Sequence, residues 1–430
     1  MGGSRLAAPA HNPCSPSRAF ATGRAGSLGE SAGPGARSPY PYVVDQISTT
    51  VEAIAPDLIE LRRDLHAHPE LSWAEERTTD VVASWMDKFD VPYRRWEGSG
   101  LVAQLGPADA PVIALRADLD ALPVQEATTL PWRSTVDGVA HACGHDVHTA
   151  ALVGAAVALV DLDRRGLLPV QVRLVFQPAE EAMPGGALKV LSLGEMAGVS
   201  RVFALHCDPT LDVGVVGIRE GAITGASDRL RVVLTGRGGH TSRPHLTEDV
   251  TFAAGTLITQ LPAVLSRRFD PRSGVSLVWG HMHAGDAANV IPIHAELSGT
   301  VRMLDVVAWH EAEAAVRQIV EDIVRPFGVS VDATYVRGVP PVVNEFTATE
   351  ALRAAVESAV GREGVAATLQ SLGGEDFGWY LETMPGAMGR LGTRTPGGPT
   401  HDLHQGTFEA DDRAVAVGAA VLAHSALAPL

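Results

Sequence analysis

From about residue 43 to residue 222 the chain alternates helical segments with short apolar runs, and that alternation constrains the fold more than any other feature. Residues 51–65 and 78–89 have amphipathic helical periodicity, while 101–105, 112–115, 170–176 and 202–205 are short, apolar and bounded by turn residues. Strands without polar alternation, separated by helices, predict a mostly parallel sheet flanked by helices on both faces. Residues 149–160, rich in alanine and apolar on most faces, predict a buried helix. This is an α/β core.

Near residue 222 the pattern changes. Residues 229–234 alternate polar and apolar, as a half-exposed strand does. A helix (249–265), strands at 275–279 and 295–303, a helix (307–324) and a strand (330–336) follow. The order β-α-β-β-α-β is that of a ferredoxin-like α+β unit. After about residue 337 the first style returns, ending in a helix at 411–424. The expected organisation is a tail (1–42), an α/β domain in two parts (43–222 and 337–430), and an inserted α+β domain (223–336), which the resemblance described below makes the catalytic and satellite domains. The tail is rich in Gly, Pro, Ser, Ala and Arg without hydrophobic periodicity, which predicts disorder.

The formal net charge of −16 argues against nucleic acid, whose phosphates require lysines and arginines. A run of about 18 apolar residues, needed to span a membrane, is not found. The three cysteines are no disulfide framework, and a reducing, cytoplasmic compartment is expected.

Chemistry-bearing residues gather at predicted strand ends, where ligands of open α/β sheets bind. VIALRADLDALP places Asp118 and Asp120 just past one strand, and LVFQPAEE puts Glu180 and Glu181 after another. ALHCDP ends a strand on His206, HACGHDVH gathers Cys143, His145 and His148, and THDLHQ carries His404. Thiolate and imidazole suit a borderline-soft cation such as zinc. On an extended turn, Cys143 and His145 could face one pocket. Adjacent buried glutamates are costly unless a cation neutralises one, which leaves the other free to take a proton from water. Each cluster alone has a structural reading: a strand-end histidine, a solvated acidic pair, a turn aspartate. Together at the ends of one sheet they favour a metal site. In the inserted unit GRGGHTSRPH presents His240, NVIP holds Asn289, and Arg302 ends GTVR. An imidazole can stabilise an oxyanion, and Asn with Arg can hold a carboxylate.

With these residues assembled, the chain resembles the carboxypeptidase-G-like metallopeptidase and aminoacylase family, in its branch of hippurate and indole-acetyl-amino-acid hydrolases. RRDLHAHPELS, RADLDALP, HACGHDVHTA, FQPAEE, ALHCDP, GRGGHTSRPH, NVIP, GGEDF and the late LH carry the resemblance in this order. It implies a homodimer formed through the satellite domain and a site for two divalent metal ions, zinc or manganese. Cys143, His145, Glu181, His206 and His404 would be metal ligands and Glu180 the general base. His240 would stabilise the oxyanion, commonly in the neighbouring subunit's site. Asn289 and Arg302 would meet the substrate carboxylate, and Asp118 would orient a ligand from behind. Relatives outside this branch use a bridging aspartate where this chain has Cys143, whose oxidation would make activity redox-sensitive. The implied reaction is cleavage of small N-acyl amino acids to a carboxylic acid and an amino acid. A dipeptidase or carboxypeptidase, a non-catalytic metal-holding protein and a closed structural zinc site are the alternatives.

Overall fold

The computed structural model describes residues 41–428. The segment expected to be disordered lies outside the described residues except at its last two positions, where the helix Pro41–Ala67 already begins. Eight strands form one sheet in the order Tyr93–Arg95, Leu101–Leu105, Gln171–Gln177, Val112–Asp118, Val199–Asp212, Gly386–Arg394, Val216–Ile218, Val365–Ala367. The central four run parallel, and antiparallel pairs appear on either side of them. Ala387–Thr393, on a central strand, is buried at every position, whereas the edge strands Tyr93–Arg95 and Val365–Ala367 are partly exposed.

The helix His145–Arg164 lies across this sheet and packs against Pro41–Ala67 and Arg413–Ala426. A Cβ at Gly154 would come within 2.6 Å of Leu58 and 2.7 Å of Ala419, so the glycine lets three helices meet. That closeness explains a residue costing about 1 kcal/mol of helix propensity relative to alanine. The same helix has the length and hydropathy of a membrane span, yet 94% of it is buried inside the fold, as befits a core helix. Its first turn is anchored by Asp146, which lies 2.7 Å from Arg62 and 2.9 Å from His66 Nδ1, all three buried. Burial alone would raise the Asp146 carboxyl, but Arg62 and His66 hold it well below the ordinary range.

The second sheet is antiparallel, in the order Ser276–Ala284, His294–Met303, Ala226–Thr235, Ser330–Val339. Numbered along the chain this is 2-3-1-4, the order of a ferredoxin-like β-α-β-β-α-β unit. Its helices, Val250–Arg268 and Val306–Val324, cover one face around buried Leu257, Leu297, Val316 and Trp309. Buried Asp228 ties the unit together, accepting from Trp309 Nε1 (3.2 Å), Tyr335 Oη (2.6 Å) and the Gly338 amide (2.8 Å).

Candidate metal centre

The segment after Gln171–Gln177, the turn before the helix His145–Arg164, the strand Val199–Asp212 and one late loop converge on a cleft of about 350 Å³, bordered by Cys143, Glu180, Glu181, His206 and His404. His206 lies inside its strand and not at its end. Donor atoms of Cys143, His145 and His206 lie within 4.8 Å of one another, and so do those of Cys143, Glu181 and His404. Cys143 belongs to both triads. Glu180 forms a further group with His145 and Glu181.

Local backbone geometry accounts for this convergence. Gly144, with φ +84°, separates Cys143 from His145 and starts the helix, so His145 is the first helical residue and not part of an extended turn. A Cβ at Gly144 would lie 2.6 Å from Cys207 Sγ. Gly144→Ala should therefore cost about 1–2 kcal/mol of backbone strain and about 1–3 kcal/mol of overpacking. Denaturant melts would read that loss, and metal content would fall as Cys143 and His145 move apart. After the strand Gln171–Gln177 the chain turns through Ala179, a non-glycine residue with φ +55°. The Ala179 amide donates to Glu75 (2.7 Å), while the amides of Glu180 and Glu181 donate to Asp120 (3.1 and 3.0 Å). His404, at φ +60°, donates its amide to Ala142 O at 2.8 Å, which brings the late loop beside the Cys143 turn.

The imidazoles are fixed from behind. His145 Nδ1 donates to Asp120 at 3.2 Å, and its buried Nε2 has no hydrogen-bond partner. His206 Nδ1 donates to Cys207 O at 2.8 Å, leaving Nε2 3.5 Å from Cys143 Sγ. In both rings one nitrogen is committed and the other presents its lone pair to the site, as a ligating histidine requires. His148 differs: its Nε2 accepts from the Cys207 amide and its Nδ1 donates to Asp118 at 2.6 Å. Both nitrogens of His148 are spent on structure.

Asp118 therefore bonds His148 and Arg116 and approaches His145 Nε2 only to 3.7 Å. The carboxylate hydrogen-bonded to His145 is Asp120, held in turn by Ser72 at 2.7 Å. The sequence singles out both aspartates, and the resemblance assigns the orienting role to Asp118. Glu75 has no sequence signal, because its partners are the Ala179 amide and the Ser99 hydroxyl.

The charges call for a cation. Burial and the neighbouring Glu375, Glu181 and Asp376 push the Glu180 carboxyl well above its usual range. Burial, then Glu181 and Glu180, does the same to the Cys143 thiol. Burial would lower His145, yet Asp118, Asp120 and Glu181 raise it to about 10, so without a cation Nε2 holds a proton that a bound ion would displace. A cation among these donors would relieve each of these costs. Glu181 Oε1 lies 3.2 Å from His404 Nε2 without hydrogen-bond alignment. Thiol, imidazole and carboxylate donors with open lone pairs fit divalent ions.

The residues of the inserted unit divide. Arg302 borders the cleft, its guanidinium donating to Leu372 O. His240 and Asn289 do not border it; they lie exposed on and beside the short pairing of Gly239–His240 with Val290–Ile291. A larger hollow of about 800 Å³ next to them is lined by Thr241, Phe252, Ala288 and Val290 and lies away from the ligand triads.

Donors of this kind around one cleft define a candidate metal site, and together with the relatives of this chain they make it a metal-dependent amidohydrolase. The chain belongs to peptidase family M20/M25/M40, whose model matches residues 114–428. It is 40% identical over 378 residues to the N-acetylcysteine deacetylase of Bacillus subtilis, covering 86% of this chain and 96% of that protein. It is 49% identical over 366 residues to a Rhodococcus jostii protein named for a glutamate–cysteine ligase, covering 85% of this chain. The match spans only 46% of the Rhodococcus protein, so a name carried by the whole need not describe the aligned part. Among solved structures, a dinuclear metal binding peptidase of the M20 family from Bacillus subtilis superposes with a TM-score of 0.76 at 36% identity. That match covers 87% of this chain and 98% of that one.

Proposed function

We propose that the chain hydrolyses the amide bond of N-acyl amino acids, with Cys143, His145, Glu181, His206 and His404 holding two divalent cations. The observation that carries this reading is the pair of donor triads sharing Cys143, with Glu180 beside them in one cleft. The similarity to a deacetylase of N-acetylcysteine supports the substrate class. When bound, such ions acidify water and polarise a carbonyl. Glu180, whose carboxylate accepts no hydrogen bond among the described residues, takes the water's proton and returns it to the leaving nitrogen. Arg302 meets the substrate carboxylate from the antiparallel sheet.

His240 and Asn289 act, in this reading, on the cleft of a second copy, with residues 223–336 as the dimerisation domain. Their exposure beside the hollow supports it. The soft thiolate at the shared position favours zinc over manganese. We take the enzyme as cytoplasmic, consistent with Cys143 and Cys207 being free and buried.

The test is a panel of acetyl, benzoyl, indole-acetyl and longer acyl amino acids beside unblocked dipeptides, after chelation and after restoring Zn²⁺ or Mn²⁺ separately. Amino acid release from acylated substrates, lost on chelation and regained with metal, is the expected result. Cleavage of dipeptides alone would replace this reading with a peptidase.

A further inference from the structure

Arg390 sits on the strand Gly386–Arg394, in parallel register with His206 of the neighbouring strand, and borders the cleft. It is 7% exposed, yet its guanidinium has no hydrogen bond or ion pair among the described residues. Other deeply buried arginines are paired: Arg62 with Asp146 and Asp412, Arg116 with Asp118, Glu375 and Asp376. The carboxylates nearest in charge to Arg390 are committed elsewhere, Glu375 to Arg116 and Asp208 to Thr210. A buried cation without a partner is costly, and more so beside a cluster proposed to hold two further cations. An arriving anion removes that cost.

The cleft thus presents two guanidinium groups from two sheets, Arg302 on His294–Met303 and Arg390 on Gly386–Arg394. In the reading above, the carboxylate of the N-acyl amino acid is met by Arg302, which leaves Arg390 unassigned. We propose that Arg390 recognises a second carboxylate on the substrate and so sets a preference for doubly acidic N-acyl amino acids. The second carboxylate comes either from an aspartate or glutamate side chain or from the far end of a dicarboxylic acyl group. The inference rests on the amide-cleaving reading above and deepens it.

The experiment compares zinc-reconstituted full-length wild type with Arg390→Leu and Arg390→Lys on two matched pairs. N-acetyl-glutamate against N-acetyl-glutamine tests the side-chain source, and N-succinyl-alanine against N-butyryl-alanine tests the acyl source. Wild type should favour the acidic member of one pair, which identifies the source. In Arg390→Leu the acidic-to-neutral ratio of kcat/KM should fall about 10–100-fold, and Arg390→Lys should restore part of it. A ratio unchanged by Arg390→Leu in both pairs overturns the proposal, as does an equal fall on acidic and neutral members. If wild type cleaves no acyl amino acid, the hydrolase reading fails by itself. Calorimetric titration with glutarate against glutaramate then decides on Arg390. Tighter binding of glutarate by wild type, lost in Arg390→Leu, supports the second-carboxylate site, and equal behaviour of the two proteins removes it.

Discussion

Glu180→Gln should retain its metal ions and lose turnover by about 10²–10⁴-fold, the range associated with a positioned general base. The amide keeps the shape of the side chain and cannot accept the proton. The fold around it should persist, because Glu180 is held through its backbone amide to Asp120 and not through its carboxylate. Metal analysis beside kcat separates this outcome from a ligand role. Turnover near that of wild type would remove Glu180 as the base, and loss of metal would move it into the ligand set.

Cys143→Ala should empty the site. The thiol is the only donor common to the Cys143–His145–His206 and Cys143–Glu181–His404 groups, so in the proposed reading, with one ion held by each group, both would lose a ligand at once. Removing a residue that merely orients a ligand costs about 10–100-fold in affinity, and removal of a shared ligand should exceed that. Activity should vanish at ordinary metal concentrations. Cys143→Asp, which restores an anionic donor at that position, should recover part of the metal content. Two ions per chain in Cys143→Ala, measured after dialysis, would show that the thiol bridges nothing.

The parallel sheet is readable from the sequence because a strand buried on both faces must be apolar throughout, as 112–115 and 202–205 are. The clusters at strand ends are readable for a related reason: polar residues immediately after such runs can only stand at the sheet's rim. The choice between Asp118 and Asp120 is not. They are two residues apart at the end of one strand, and only the position of the imidazoles shows which carboxylate meets which ring. Glu75 escapes notice because hydrogen bonds to distant backbone amides leave no pattern along the chain. His404 comes from a segment far along the sequence, so its place beside Glu181 follows from resemblance and not from spacing. Arg390 lies inside an apolar run with no neighbouring motif. Its significance appears only when its burial and lack of a partner are seen together.

The locked imidazoles of His145 and His206 have a thermodynamic meaning. Side chains already confined to one rotamer surrender little freedom when an ion arrives, whereas zinc fingers must order their whole chain to bind. Ion capture here should be rapid, reversible and nearly independent of folding. The metal carried in the cell would then reflect the supply of ions at the moment of loading as much as any preference of the donors.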